Sequence, residues 1–458
     1  MPTELTTELD LPLSEVDPLV TELLRLEADR QRHAVPLLAP SMIMPRAIRQ
    51  ALSSVVGDLD GEGYPGRWQC DLTSSVQEYL SKYATRGPRK YNPSGPFAEY
   101  LELEAARRIA AMFATEGRVD AEELHVNVQA ASGSIANIAV LRALMEPGET
   151  LLSMGLSAGG HLSHGASFHE TGQRYRVAHY GVSPDGTLNV ASIAEAARST
   201  RARVVIVGAS SYPRKLPWSE IRRALDALSP RPYLVADIAH FVGLVASGHY
   251  PNPLPSADVV SFVGYKTLAG PRIGVCVTQH EEIARRIDRA VFPGIQSAPV
   301  MGAIAALAVA ARRARSATHR RLMAIAIDHA HELCLTMSEH GIEPAFGGTE
   351  THLVLLRRPV AAQPTAGALE RAGILLNSNM LPEDRQPSRA RGLRIGMVGI
   401  TQRGLARESL PVLAQLLSSQ IRAAEDRSVP AEAGSPSCVR AFASEHLRTP
   451  AIFESGVL

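Results

Sequence analysis

The chain has 458 residues, with 47 Lys+Arg against 46 Asp+Glu and a formal net charge of +1. That length exceeds what one small core needs and suits a large domain with a smaller companion, the size of a metabolic enzyme. Basic residues scattered in pairs and aromatic residues at 5% exclude the charged and stacking surface of a nucleic-acid binder.

The opening "MPTELTTELDLPLSEVDP" lacks the basic start and apolar centre of a signal peptide, so export is not expected and the cytoplasm is. Cys70, Cys276, Cys334 and Cys438 stand far apart without CxxC spacing. They suggest neither a zinc site nor a disulfide framework and fit a reducing compartment. Next, "LVTELLRLEADRQRH" has the period of an amphipathic helix, and residues 1–40 read as an N-terminal helical arm.

From residue 99 the pattern alternates: helical "EYLELEAARRIAAMFA", extended "LHVNVQ", helical "ASGSIANIAVLRALM", extended "ETLLSM". It continues through "ARVVIVGAS", "PYLVADIAH", "DVVSFVGYK" and "IGVCVTQ". Short apolar strands without period-two alternation predict a mostly parallel sheet covered by helices on both faces, an α/β large domain over 41–314. The apolar stretch "VMGAIAALAVAA" is too short to span a bilayer and reads as a buried helix; no membrane association is expected. Beyond it, "THLVLLRRP", "AGALERAGILLNSN" and "RGLRIGMVGIT" predict a small α+β domain over 315–425. Residues 426–458, opening on Pro, Gly and Ser, read as a loosely held tail.

Lys266 stands in "SFVGYKTLAGPR", directly after an apolar run. Either it reaches from a strand end into solvent, or it is a Schiff-base lysine. Asp237 ends the run "YLVAD", where a doubly wound sheet presents side chains to a ligand; a helix cap or ion-pair partner is the plainer reading. Pyridoxal phosphate requires such a pair, a lysine to hold it as an imine and an anion to keep its ring nitrogen protonated. Ser132, Gly133 and Ser134 precede an apolar helical pattern and offer either an ordinary turn and cap or a phosphate site. In "GLSAGGHLSHG", His161 and His164 fit local hydrogen bonding or a ring stacked on a cofactor, and a metal site lacks acidic or cysteine ligands. "GASSYPR" lacks the final glycine of a nucleophile elbow, and "HEEIARR" has no second histidine for a zinc protease.

In order along residues 36–425 stand "EGYPGRW", "ASGSIAN", "GGHLSHG", "YGVSPDGTL", "GASSYPR", "VADIAHFVGLVASGHYPNPLPSADVV", "YKTLAGPR", "FPGIQ" and "GLRIG". Together they resemble serine hydroxymethyltransferase, a fold-type I pyridoxal-phosphate family. The resemblance implies that Lys266 carries the imine, His161 stacks on the cofactor ring and Asp237 pairs with its nitrogen. It places His240 on the phenolic oxygen side, Ser210 near the cofactor, and Ser132, Gly133 and Ser134 near its phosphate. Arg394 would clamp the substrate carboxylate, with Arg272 lining the same pocket. Glu62 matches the family's acid/base glutamate and Tyr64 shares its loop, which in the family reaches into the neighbouring subunit, implying a homodimer with shared sites. Partners are then an amino acid (serine, threonine or glycine) and an aldehyde.

Several departures cluster on the acceptor side. The family's Tyr-Tyr-Gly-Gly after "EGYPG" is absent, and "QCDLTSSVQEYLSKYATRGPRK" intervenes before "YNPSGPFAEYLELE". Tyr265 replaces the histidine before the lysine, Ala158 a histidine of "SHGGHLTHG", and "PGIQGGP" reads "PGIQSAP" at Ser297 and Ala298. "TDNHL" is "TETHL", and "NKN" near the folate site is "NSN" at 377–379. The family chemistry removes a hydroxyl proton, by Glu62 or through water, and cleaves Cα–Cβ to a glycine quinonoid and an aldehyde. The departures favour a threonine aldolase or transaldolase, with folate-dependent serine hydroxymethyltransferase, using tetrahydrofolate, as the alternative. A non-catalytic scaffold would not need Lys266, Asp237, His161 and Arg394 together.

Overall fold

The computed structural model describes residues 9–65, 75–86, 90–115, 117–426 and 436–453. Helix α1 (Pro18–His33) is capped by Asp17, whose carboxylate accepts the Val20 N–H at 2.9 Å. Its leucines are exposed in this chain, Leu19 at 68% and Leu23 at 55%. The arm then enters as strand β1 (Val35–Pro36), and helix α2 (Pro96–Phe113) begins the large domain.

The large sheet uses β2 (His125–Asn127), β3 (Thr150–Met154), β4 (Arg176–Tyr180), β5 (Val204–Gly208), β6 (Tyr233–Asp237), β7 (Val259–Val263) and β8 (Gly274–Thr278). Its order is β2-β8-β7-β6-β5-β3-β4, with β8 antiparallel to both of its neighbours and the β3 to β7 pairings parallel. Helix α3 (Gly133–Leu144) joins β2 to β3. Successive residues of β5 feed opposite cores: Val204 and Ile206 pack with Leu141 and Leu144 of α3, whereas Val205 and Val207 pack with Ile221 and Leu225. A strand covered on both sides needs apolar residues at every position, which explains the missing alternation.

The stretch expected as a buried helix is α4 (Met301–Ala314), with Ile304, Ala306, Leu307 and Ala310 all buried. Helix α5 (Ala317–Glu339) spans two cores. Met323 and Ala326 join the large one, while Ala330, Leu333 and Met337 join a second. Around that second core lie β9 (Leu353–Arg357), β10 (Ile374–Leu375), β11 (Asn377–Asn379), β12 (Gly392–Gly396) and helix α6 (Leu410–Glu425), with an antiparallel sheet ordered β11-β12-β9. The N-terminal arm is sewn into it, because β1 pairs in parallel with β10 and Val35 and Leu37 enter its core.

The stretch after 426 departs from expectation. Residues 436–446 form helix α7 (Pro436–His446), whose Val439, Phe442 and Ala443 are buried in the second core. Three apolar side chains at i, i+3 and i+4 make a sufficient stripe, which the preceding Pro, Gly and Ser conceal in the sequence. Arg403, almost wholly buried, ties both ends of the chain by donating to Arg32 O and Ala34 O at 2.7 Å and to Arg448 O at 3.2 Å. No described helix is long and apolar enough to cross a membrane. Cys276 and Cys334 are buried free thiols and Cys438 an exposed one; Cys70 lies outside the described residues.

Candidate active site

The carboxyl ends of the parallel strands β3, β5, β6 and β7 carry His161, Ser210, Asp237 and Lys266, at the crevice of an open α/β sheet. Asp237 is the last residue of β6, and the neighbouring Gly208 of β5 leaves it room: a Cβ there would sit 2.3 Å from Asp237 O. One carboxylate oxygen accepts from Asn137 Nδ2 at 2.8 Å and faces His164 Nε2 at 2.9 Å; the other accepts the Ala239 N–H at 2.9 Å. Burial acts to raise its pKa, but the hydrogen bond and charge of His164 outweigh it and hold Asp237 well below the usual carboxylate range. The site therefore keeps a buried anion.

Its supports interlock. Asn137 also donates to Ser163 Oγ at 2.8 Å and accepts from Ser261 Oγ at 2.7 Å. His161 N–H meets His164 Nδ1 at 3.4 Å, and the two rings stand edge to face at 5.7 Å. Burial, then the nearby His164 charge, push the His161 pKa down to about 4, so its ring is neutral near pH 7.

Lys266 follows β7 and is 6% exposed, which excludes the reading in which it reaches into solvent. Burial lowers its pKa to about 8, against the pull of Asp237 and with the help of Arg394. Arg394, in the centre of β12, is also buried, and burial brings it down to about 10. Its Nε donates to Asn377 Oδ1 at 3.1 Å and its Nη1 to Ser210 O at 2.5 Å, so the small domain's guanidinium is anchored on the large domain's loop.

Ser132 caps α3, accepting the Ile135 N–H at 3.2 Å, and Gly133 packs so closely that a Cβ would fall 2.6 Å from Val263 Cγ1. The first-turn N–H groups of α3 thus open at the same edge. His240 is buried with Nδ1 lacking a partner among the described residues, and burial holds its pKa well below the ordinary value. Arg272 is exposed at the rim, its guanidinium 4.4 Å from the Tyr265 ring centroid. Glu62 and Tyr64 hold other partners. The Glu62 carboxylate accepts from the Ser297 hydroxyl, while Tyr64 OH donates to Asp288 O at 2.9 Å and accepts from Asn127 Nδ2 at 3.0 Å.

The sequence leaves the role of His164 open and does not mark Asn137 or His352. Asn137 sits inside "SGSIAN", but its partner Asp237 is a hundred positions away in sequence, so no local spacing signals the pair. His352 is fully buried, with neither ring nitrogen hydrogen-bonded among the described residues, and burial pushes it to about 3.

A buried amine, a buried carboxylate, a neutral imidazole, a His240 nitrogen without a partner among the described residues and a helix start fit an aldehyde-bearing, phosphorylated pyridine. The serine hydroxymethyltransferase family pattern matches residues 69–417. The chain belongs to that family. It is 35% identical over 419 residues to the serine hydroxymethyltransferase of Myxococcus xanthus, covering 90% of this chain and 92% of that one. To the namesake proteins of Paramagnetospirillum magneticum and Methanosarcina barkeri it is 34% identical (89% of each chain) and 32% identical (92% of this chain, 95% of that one). Serine hydroxymethyltransferases are pyridoxal-phosphate enzymes of fold-type I, and the sheet described here has that arrangement. Lys90 and Tyr91 return beside Gly63, and Tyr91 is 85% exposed.

Proposed function

We propose that the protein makes and breaks the Cα–Cβ bond of β-hydroxy amino acids, as a threonine transaldolase or aldolase that uses an aldehyde acceptor. The observation that carries the reading is the buried Lys266 amine set between the Asp237 network and Arg394. When bound, pyridoxal phosphate supplies an electron sink for the pair released from Cα. Lys266 would hold it through its amine, Asp237 would pair with its ring nitrogen, and His161 would stack on its ring. The α3 start, through Ser132, Gly133 and Ser134, receives the phosphate, and His240 and Ser210 line the phenolic side. Arg394 grips the substrate carboxylate, with Arg272 and Tyr64 at the rim, and Glu62 takes the β-hydroxyl proton.

The acceptor side supports the specialised reading. Thr351, in place of the family's asparagine, accepts the Leu353 N–H at 3.2 Å, and Ser378 donates to Gln363 Oε1 at 2.5 Å. Both positions are engaged within the chain. The relatives' names favour the second reading, a tetrahydrofolate-dependent hydroxymethyltransferase. Incubation with threonine should release acetaldehyde, faster when a second aldehyde is added. Folate-stimulated glycine formation from serine, without that exchange, would assign the second reading instead. Glu62→Gln should keep cofactor binding but slow cleavage by roughly 10²- to 10⁴-fold; a wild-type rate discards its acid/base role.

A second copy completes the site in this reading, because Glu62 and Tyr64 are not held by the Asp237 network within one chain. Exposed Val55 (84%) and Phe97 (68%) beside that loop supply an apolar face for it. Mixing inactive Lys266→Ala and Glu62→Gln proteins after subunit exchange should restore roughly a quarter of wild-type activity, the share of intact shared sites from random pairing. No restoration would place Glu62 and Lys266 in the same chain's site.

A further inference from the structure

The loop that carries Glu62 is gripped by a buried charge pair that no reading of the reaction requires. Lys90 Nζ donates to Gly61 O at 3.2 Å and to Glu102 Oε2 at 2.6 Å. Gln129 Nε2 donates to Gly63 O at 2.9 Å and to Glu102 Oε1 at 2.6 Å. The two carbonyls flanking Glu62 are therefore held by two donors that one carboxylate, on α2, aligns. Between them, Glu62 O accepts the Asn92 N–H at 3.3 Å. The lysine side chain is 0% exposed and the glutamate side chain 6%.

Burying a lysine and a glutamate is a poor route to stability, since apolar side chains of similar size commonly do as well. A buried charge does, however, direct hydrogen bonds strongly, because no water competes for them. Backbone shape adds to the case: Gly63 has φ +93°, and a Cβ there would lie 3.1 Å from Tyr91 N. Only glycine lets the returning segment of residues 90–92 press against this loop. Lys90 is also the last residue of the segment "QCDLTSSVQEYLSKYATRGPRK" that follows the Glu62 loop. The chain thus comes back from its detour with an ammonium placed on the Glu62 loop.

We propose that Lys90, acting with Glu102 and Gln129, is a positioning residue for Glu62, fixing the backbone on both sides of the carboxylate that Ser297 meets. This rests on the acid/base reading of Glu62, and the test separates the two. Lys90→Met, Lys90→Arg and Lys90→Met/Glu102→Gln are made in the wild-type and in the Glu62→Gln background, and threonine cleavage is measured with hydrogen exchange of the peptide containing residues 60–64. Lys90→Met is expected to lower kcat roughly 10- to 100-fold with KM little changed, and to speed exchange in that peptide. Lys90→Arg should recover most of both. In the Glu62→Gln background the Lys90 effect on kcat should vanish, since a misplaced group that is already absent costs nothing more. An equal loss in both backgrounds, or unchanged exchange and kcat, overturns the positioning role. A wild-type rate for Glu62→Gln itself overturns the acid/base reading instead. Should Lys90→Met alone not fold, the double variant, which buries no charge, carries the same comparison.

Discussion

Lys266→Ala is expected to leave the protein colourless after pyridoxal phosphate is added and excess removed, with turnover below roughly a thousandth of wild type. The amine is buried, and burial with the Arg394 charge has brought it to about 8. A substantial neutral fraction therefore exists near physiological pH, and only the neutral amine has a lone pair to attack an aldehyde. Cofactor uptake by the cofactor-free protein should accelerate as pH rises through about 8, the value to which the amine is lowered. Removing the side chain also removes a buried charge, so the fold should survive and the loss should be chemical. Visible spectra and circular dichroism on the same samples distinguish these effects. A yellow, active alanine variant would end the assignment.

Arg394→Ala is the second large effect. A guanidinium held by Asn377 and Ser210 O retains N–H groups without partners among the described residues, in a fork that matches a carboxylate, and its burial removes competing water. Loss of one partner from such a desolvated pair costs about 4 kcal/mol, or roughly a thousandfold in kcat/KM. Both binding and turnover should fall, because the carboxylate sets the orientation of the bond to be cleaved. Arg394→Lys keeps the charge but not the fork and should recover only part. Unchanged kinetics for the alanine variant would remove Arg394 from the substrate site.

Much of this architecture was legible before any coordinates. The runs "VVIVG" and "YLVAD" lack alternation because both sheet faces are covered, and they are β5 and β6. Lys266 and Asp237 were visible as charges at the ends of apolar runs, where an open parallel sheet exposes its ligand edge. The helix over Pro436–His446 was not, because only Val439, Phe442 and Ala443 carry its stripe amid polar residues. Arg403 was equally silent: nothing local marks a cation that will donate to main-chain carbonyls at both chain ends.

Sequence alone thus determined the class of fold, the strand-end charges and the family pattern, since each rests on periodicity or on residue types in fixed local order. Only the tertiary structure decided that His164 and Asn137 serve Asp237, that Arg394 rests on Ser210, and that Lys90 grips the Glu62 loop. Those pairings join residues remote in the chain. Their strength comes from exclusion of water, which no linear spacing records.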